Sequence, residues 1–152
     1  MFKKILVPLD GSPYSEAVLE PVARMAGGTN AGVILLRVAR LPKDVIVEHG
    51  RVIPLDEQMG WLESEFSRYL AEKAEQLRAR AVNVVTATAY GEPEEAILSY
   101  AGEQDVDVIV VASHGKVCIG PVCFSDEADK IVTHSTRPVL LVKIPEGAVT
   151  AA

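Results

Sequence analysis

Cysteine is scarce in this chain. Of its 152 residues only Cys118 and Cys123 are cysteines, too few for a disulfide framework. No stretch approaches the ~20 apolar residues that span a bilayer. Lysine and arginine form no run, and the charge sum is −6. That balance excludes a general attraction for nucleic acid or an anionic membrane surface. Signatures of catalysis are missing too. There is no Gly-x-Ser-x-Gly elbow, no Gly-x-x-x-x-Gly-Lys-Ser/Thr loop and no His-Glu-x-x-His. The N-terminus places Lys3 and Lys4 before an apolar run, but Pro8 breaks that run and Asp10 closes it. It does not read as a signal peptide, and the expected location is cytoplasmic. No internal repeat, low-complexity segment or second domain stands out.

What is present is a globular composition, with 49% apolar and 24% charged residues. The apolar share is too high for a disordered chain. The length fits one domain, which buries roughly 70% of the surface of its unfolded chain and needs no metal or disulfide staple.

Five short apolar runs alternate with four amphipathic stretches. The runs are residues 3–9, 32–38, 82–89, 107–112 and 137–144. The first is bounded by turn chemistry and, like the second, reads as a buried parallel strand; the third is β-branched and the fourth the most hydrophobic. Ser12-Pro13 reads as an N-cap followed by a proline at the first helical position. The helix after it carries Pro21, which predicts a kink, and ends at Gly27-Gly28. Residues 39–56 have no clean period and read as a long loop. From Glu57 the spacing turns helical, with Trp61, Leu62, Phe66, Leu70, Ala74 and Leu77 on the expected core face. Further helices begin at Gly91-Glu92-Pro93 and at Ser125. The tail after residue 144 reads as frayed, which leaves one domain over 1–144 and a tail over 145–152. Alternation of this kind predicts an α/β fold with a parallel sheet. Ligands of such sheets bind outside the carboxyl ends of the strands. The loops of interest are therefore those beginning at Asp10, Val38 and Ser113.

Four features in those loops bear on chemistry. Asp10 can accept hydrogen bonds from ribose hydroxyls or a base, or simply form the turn before Gly11. Backbone N–H groups at Ser113-His114-Gly115-Lys116 can face an anion, although a strand-to-loop exit with a solvated lysine is the plainer reading there. The helix start Ser125-Asp126-Glu127-Ala128-Asp129 has the N–H groups and partial positive charge of a phosphate site. Its own acids already occupy that field. A carboxylate about 4 Å from a phosphate costs several kcal/mol at an effective dielectric near 20, unless a cation such as Mg²⁺ sits between them. His114, Cys118 and Cys123 lack the spacing and the fourth ligand of a zinc site. No metal is expected there, and two small side chains or a labile disulfide is the plainer reading.

Taken together, Ile5-Leu6-Val7-Pro8-Leu9-Asp10-Gly11-Ser12, Gly91-Glu92-Pro93, Asp107 through Gly115 and Arg137-Pro138-Val139-Leu140-Leu141-Val142 resemble the universal stress protein family over about residues 2–143. The resemblance implies a five-stranded parallel sheet of strand order 3-2-1-4-5 flanked by four helices. It also implies a homodimer joined through the last strand, Val139–Ile144, whose apolar edge invites pairing. Members of the family either bind ATP or do not, and binders share Gly-x₂-Gly-x₉-Gly-Ser/Thr after the fourth strand. Carried over, Pro8, Asp10 and Val38 match the nucleoside-binding positions. Of the phosphate-binding pattern, Gly115 is kept. Ala112 stands for the first glycine, His114 lies between, and Ser125-Asp126 replaces Gly-Ser, with Pro121 inside the spacer. Serine approaches a phosphate less closely than glycine, and a carboxylate replaces the bonding hydroxyl.

The expectation is a regulatory stress-response dimer with unknown protein partners and no enzymatic activity, which does not hold ATP tightly. Its alternative is a switch bound to ATP, AMP or a nucleoside, with Mg²⁺ for the phosphates. An adenine-nucleotide hydrolase ranks last, because no base, nucleophile or metal set supports it.

Overall fold

The computed structural model describes residues 2–113, 118–119, 122–123 and 126–145. Its elements run β1 (Lys4–Pro8), α1 (Pro13–Glu16), α2 (Leu19–Ala26), β2 (Gly32–Ala39), β3 (Val47–Glu48), β4 (Arg51–Val52), α3 (Leu55–Arg78), β5 (Asn83–Tyr90), α4 (Pro93–Glu103), β6 (Val108–Ser113), β7 (Cys118–Ile119), β8 (Val122–Cys123), α5 (Asp126–His134) and β9 (Val139–Lys143). One sheet has five strands in the order β5-β2-β1-β6-β9. Every pairing in it is parallel. This is the expected 3-2-1-4-5 order, with β1 in the middle.

The continuous apolar runs follow from burial on both faces. Along β1, Ile5, Val7 and Leu9 pack with Val33 and Leu35 against Leu19, Val22 and Ala26 of α2 and Leu70, Ala74 and Leu77 of α3. Leu6 points the other way, with Ile34, Leu36, Ile109 and Val111, toward Ile97 of α4 and Ile131 of α5. Two helical layers therefore sandwich the sheet. Outside the described residues lie the expected fraying of residues 146–152 and the serine cap at residue 125.

Three local expectations give way to the structure. The first helix does not kink at Pro21. It breaks at residues 17–18 instead, so that Pro21 falls in the first turn of α2. The amide that proline lacks has no intrahelical partner there. Trp61 is 48% exposed, while Phe66 is buried. With 3.6 residues per turn, Trp61 lies about half a turn around α3 from the stripe that Phe66, Leu70, Ala74 and Leu77 bury, so it shares the helix but not the core face. The loop over 39–56 contains an antiparallel ribbon, Val47 opposite Val52 and Glu48 opposite Arg51. His49 and Gly50 turn it at φ 49° and 78°. The Ile53 amide donates to the Ile46 carbonyl at 2.8 Å. The buried Gln58 donates Nε2 to the Ile53 carbonyl at 2.8 Å, which moors the ribbon to the first turn of α3. That helix starts at Leu55, two residues before the change of period.

Candidate functional site

The chain reverses its direction of winding between β1 and β6, and that switch point opens at the carboxyl ends of the strands. There Pro8, Leu9, Asp10, Leu36, Val38, Pro93 and Ile97 line a crevice of about 40 Å³. Three residues expected at a nucleoside site, Pro8, Asp10 and Val38, thus come together in one place. Glu92 caps α4 in extended backbone and Pro93 opens it, which brings Pro93 and Ile97 over the ends of β1 and β2. A ligand pocket usually holds ~300–1,000 Å³, so the crevice is the floor of a site rather than an enclosure.

Local chemistry holds Asp10 in place. Its Oδ1 accepts the Ser12 amide at 2.8 Å. Ser12 in turn caps α1 by accepting the Ser15 amide at 3.2 Å, and the Ser15 hydroxyl donates to the Ser12 carbonyl at 3.0 Å. Burial pushes the Asp10 carboxyl up, but the hydroxyl and amide of Ser12, with Ser15, outweigh it. The pKa therefore lies below the ordinary 3.8. An ionised carboxylate with solvent access is the group that ribose hydroxyls would donate to.

On the other side of the β1 end lies a cluster absent from the sequence expectations. Arg37 follows Val33 and Leu35 on the α3 face of β2. Its guanidinium stacks 4.1 Å from the Phe66 ring centre and 4.5 Å from that of Tyr69. The Tyr69 hydroxyl donates to Glu16 Oε1 at 2.7 Å, and Lys73 Nζ lies 3.6 Å from the same oxygen. Burial, then Glu16, push the Tyr69 phenol far above its ordinary range, so it stays protonated. Gly11, at φ +84°, lets the chain pass over this cluster. A Cβ there would sit 3.0 Å from Arg37 Nη2. One signal for Arg37 was legible: an arginine at the core-facing period of an apolar strand.

Of the residues expected on the phosphate side, two are described. Ala112 is the half-buried penultimate residue of β6, and Ser113 after it is buried. Asp126 opens α5. His114, Gly115 and Ser125 lie outside the described residues. No group of three or more His, Cys, Asp or Glu that could hold a metal occurs among the described residues. Among the same residues no helix is long and apolar enough to cross a membrane.

Comparison with known proteins agrees with the fold. A universal stress protein of Bacillus subtilis, YxiE, is 30% identical over 151 residues, covering 94% of this chain and all of that protein. The solved structure of protein MJ0577 of Methanocaldococcus jannaschii superposes with a TM-score of 0.76 at 25% identity, covering 97% of this chain and 99% of that one. A universal stress protein of Archaeoglobus fulgidus, solved in complex with dAMP, has the same fold at 21% identity and a TM-score of 0.63, covering 93% and 98%. The model of the universal stress protein family matches residues 1–143, and the chain belongs to that family.

Proposed function

We propose that this chain is a non-enzymatic regulatory stress protein whose crevice takes the nucleoside end of an adenine nucleotide. A single phosphate is tolerated better than three. The observation that carries this reading is Asp10, kept ionised by Ser12 in a crevice that also holds Pro8 and Val38. The fold accommodates such a ligand in the dAMP complex of the Archaeoglobus protein. Against a triphosphate stand Ala112 and Ser125 in place of glycines, and Asp126 in place of a hydroxyl. Each extra phosphate charge near Asp126 raises the Coulomb cost. The assembly proposed is a homodimer through β9, an edge strand with one unpaired side.

A second reading, an ATP-linked switch, has one specific support. Gly115 is retained, and Mg²⁺ bridging Asp126 to the phosphates would reverse the sign of its effect. Calorimetric titration of nucleotide-free protein with AMP and with Mg-ATP separates the two. The expected result is AMP binding that Asp10→Ala weakens by about tenfold or more, as loss of a charged hydrogen bond does, with Mg-ATP at least tenfold weaker than AMP. The double change Ser125→Gly with Asp126→Ser should then raise Mg-ATP affinity. Mg-ATP binding more tightly than AMP to the unaltered chain would favour the switch. No heat from either ligand would sink both readings.

A further inference from the structure

The only two cysteines of the chain stand opposite each other. In the antiparallel pair β7–β8 the register sets Cys118 against Cys123 and Ile119 against Val122. Directly opposed residues of an antiparallel pair have Cα atoms about 4.5 to 5.5 Å apart, inside the ~4.4–6.8 Å that a disulfide spans. Only residues 120–121 separate the strands. The register therefore sets the two cysteine positions opposite each other in one chain, so that a bond between them is an intramolecular step. In chain order the pair lies between β6 and α5.

We propose that Cys118 and Cys123 are a reversible oxidation site, closed to an intrachain disulfide by a peroxide and reopened by a dithiol. In the first step one thiolate attacks the O–O bond of hydrogen peroxide. A sulfur–oxygen bond forms, the O–O bond breaks, and hydroxide leaves and takes up a proton as water. The second thiolate then attacks the sulfenic sulfur, the S–S bond forms, and the S–O oxygen leaves as a second water. Two thiols are oxidised by two electrons and one peroxide is reduced by two. A dithiol such as dithiothreitol reverses the bond by exchange. The proposal does not require that a nucleotide bind, because its readout is the state of the thiols.

The test uses the unaltered chain. Reduced protein is exposed to a small excess of hydrogen peroxide, blocked with N-ethylmaleimide and weighed intact by mass spectrometry. Before oxidation two maleimides should add. Afterwards none should add, the chain should be lighter by two hydrogens and still a single chain on a non-reducing gel, and dithiothreitol should restore both sites. Both cysteines fall in the tryptic fragment 117–130, so the internal bond is mapped in one peptide. In Cys118→Ser the same treatment should leave an oxygen adduct or a cross-linked pair of chains instead. The proposal is overturned if both maleimides still add, or if the unaltered chain loses its thiols only through oxygen adducts or cross-links between chains.

Discussion

At Gly11 a single hydrogen in place of a methyl group decides what the neighbourhood can be. The residue combines φ +84° with a guanidinium 3.0 Å from where a Cβ would stand. Gly28 has a similar φ of +76° and open space around it. Ala at either position pays the left-handed strain of about 1–2 kcal/mol. Only at Gly11 must the Arg37 guanidinium also give by a few tenths of an ångström against Phe66 and Tyr69, which costs part of a cation–π contact worth roughly 0.5–2 kcal/mol. Gly11→Ala should therefore destabilise more than Gly28→Ala by on the order of 1 kcal/mol in urea unfolding. In an Arg37→Ala background that difference should vanish. Asp10 offers a second test. Its folded pKa lies below the ordinary 3.8, so the unfolded chain binds the proton first as pH falls. The stability this carboxylate contributes is present above the ordinary value and is lost as pH drops through the lowered one. Melting temperatures recorded down through this acid range should fall less steeply for Asp10→Asn than for the unaltered chain. Asp10 is legible in the sequence alone, because Asp-Gly-Ser-Pro after an apolar run states both a turn and a cap. The partners of Arg37 are not, since Phe66 and Tyr69 come from a helix whose position over β2 no local pattern encodes.

Among the elements, type was easier to read than edge. The central strands β1, β2 and β6 announced themselves through apolar runs that are buried on both faces, and α3 through its period, whereas the edge strands β5 and β9 read as strands but are only partly covered. The split of the first helix was hidden, because the sequence marks a proline but not which turn it will occupy. The ribbon at β3–β4 was hidden for another reason. A two-residue pair gives too short a span for alternation to register, and Val45, Val47, Val52 and Leu55 stay exposed. Of the crevice, Pro8, Asp10 and Val38 were legible as a group, whereas Pro93 and Ile97 enter it only because α4 crosses back over the sheet. The edge strand β9 supports a prediction at this scale. Leu141 packs with Ile109 and Ile131 in the core, whereas Leu140 is 37% exposed. Leu140→Asp should thus lower the mass found by sedimentation from dimer to monomer while leaving the circular dichroism spectrum intact. A mass unaffected by this change would remove β9 as the dimer interface. Leu141→Asp would be uninformative, since it disturbs folding as well.

For the whole molecule, one sheet with helices on both faces follows from the order of the runs, and the switch point follows from the sheet. Strand order itself is not written in any window of sequence. It came from resemblance, and the physical reason it holds is that two right-handed windings start from the same central strand. Asp107 fastens that centre at the opposite end from the crevice, its Oδ2 accepting the Lys3 and Lys4 amides at 2.7 and 2.8 Å. These bonds hold its carboxyl below the ordinary carboxylate value. The central place of β1 also has a consequence for the chain as it is made. Ile5 leaves the ribosome early, but its partner Val108 is 103 residues further on. At about 5–20 residues per second, one side of the middle strand goes unpaired for roughly 5–20 s. During that interval the nascent sheet ends on an unpaired edge of β1, whose Ile5, Leu6 and Val7 are buried in the finished fold, and a chaperone that shields growing chains would find its binding site there.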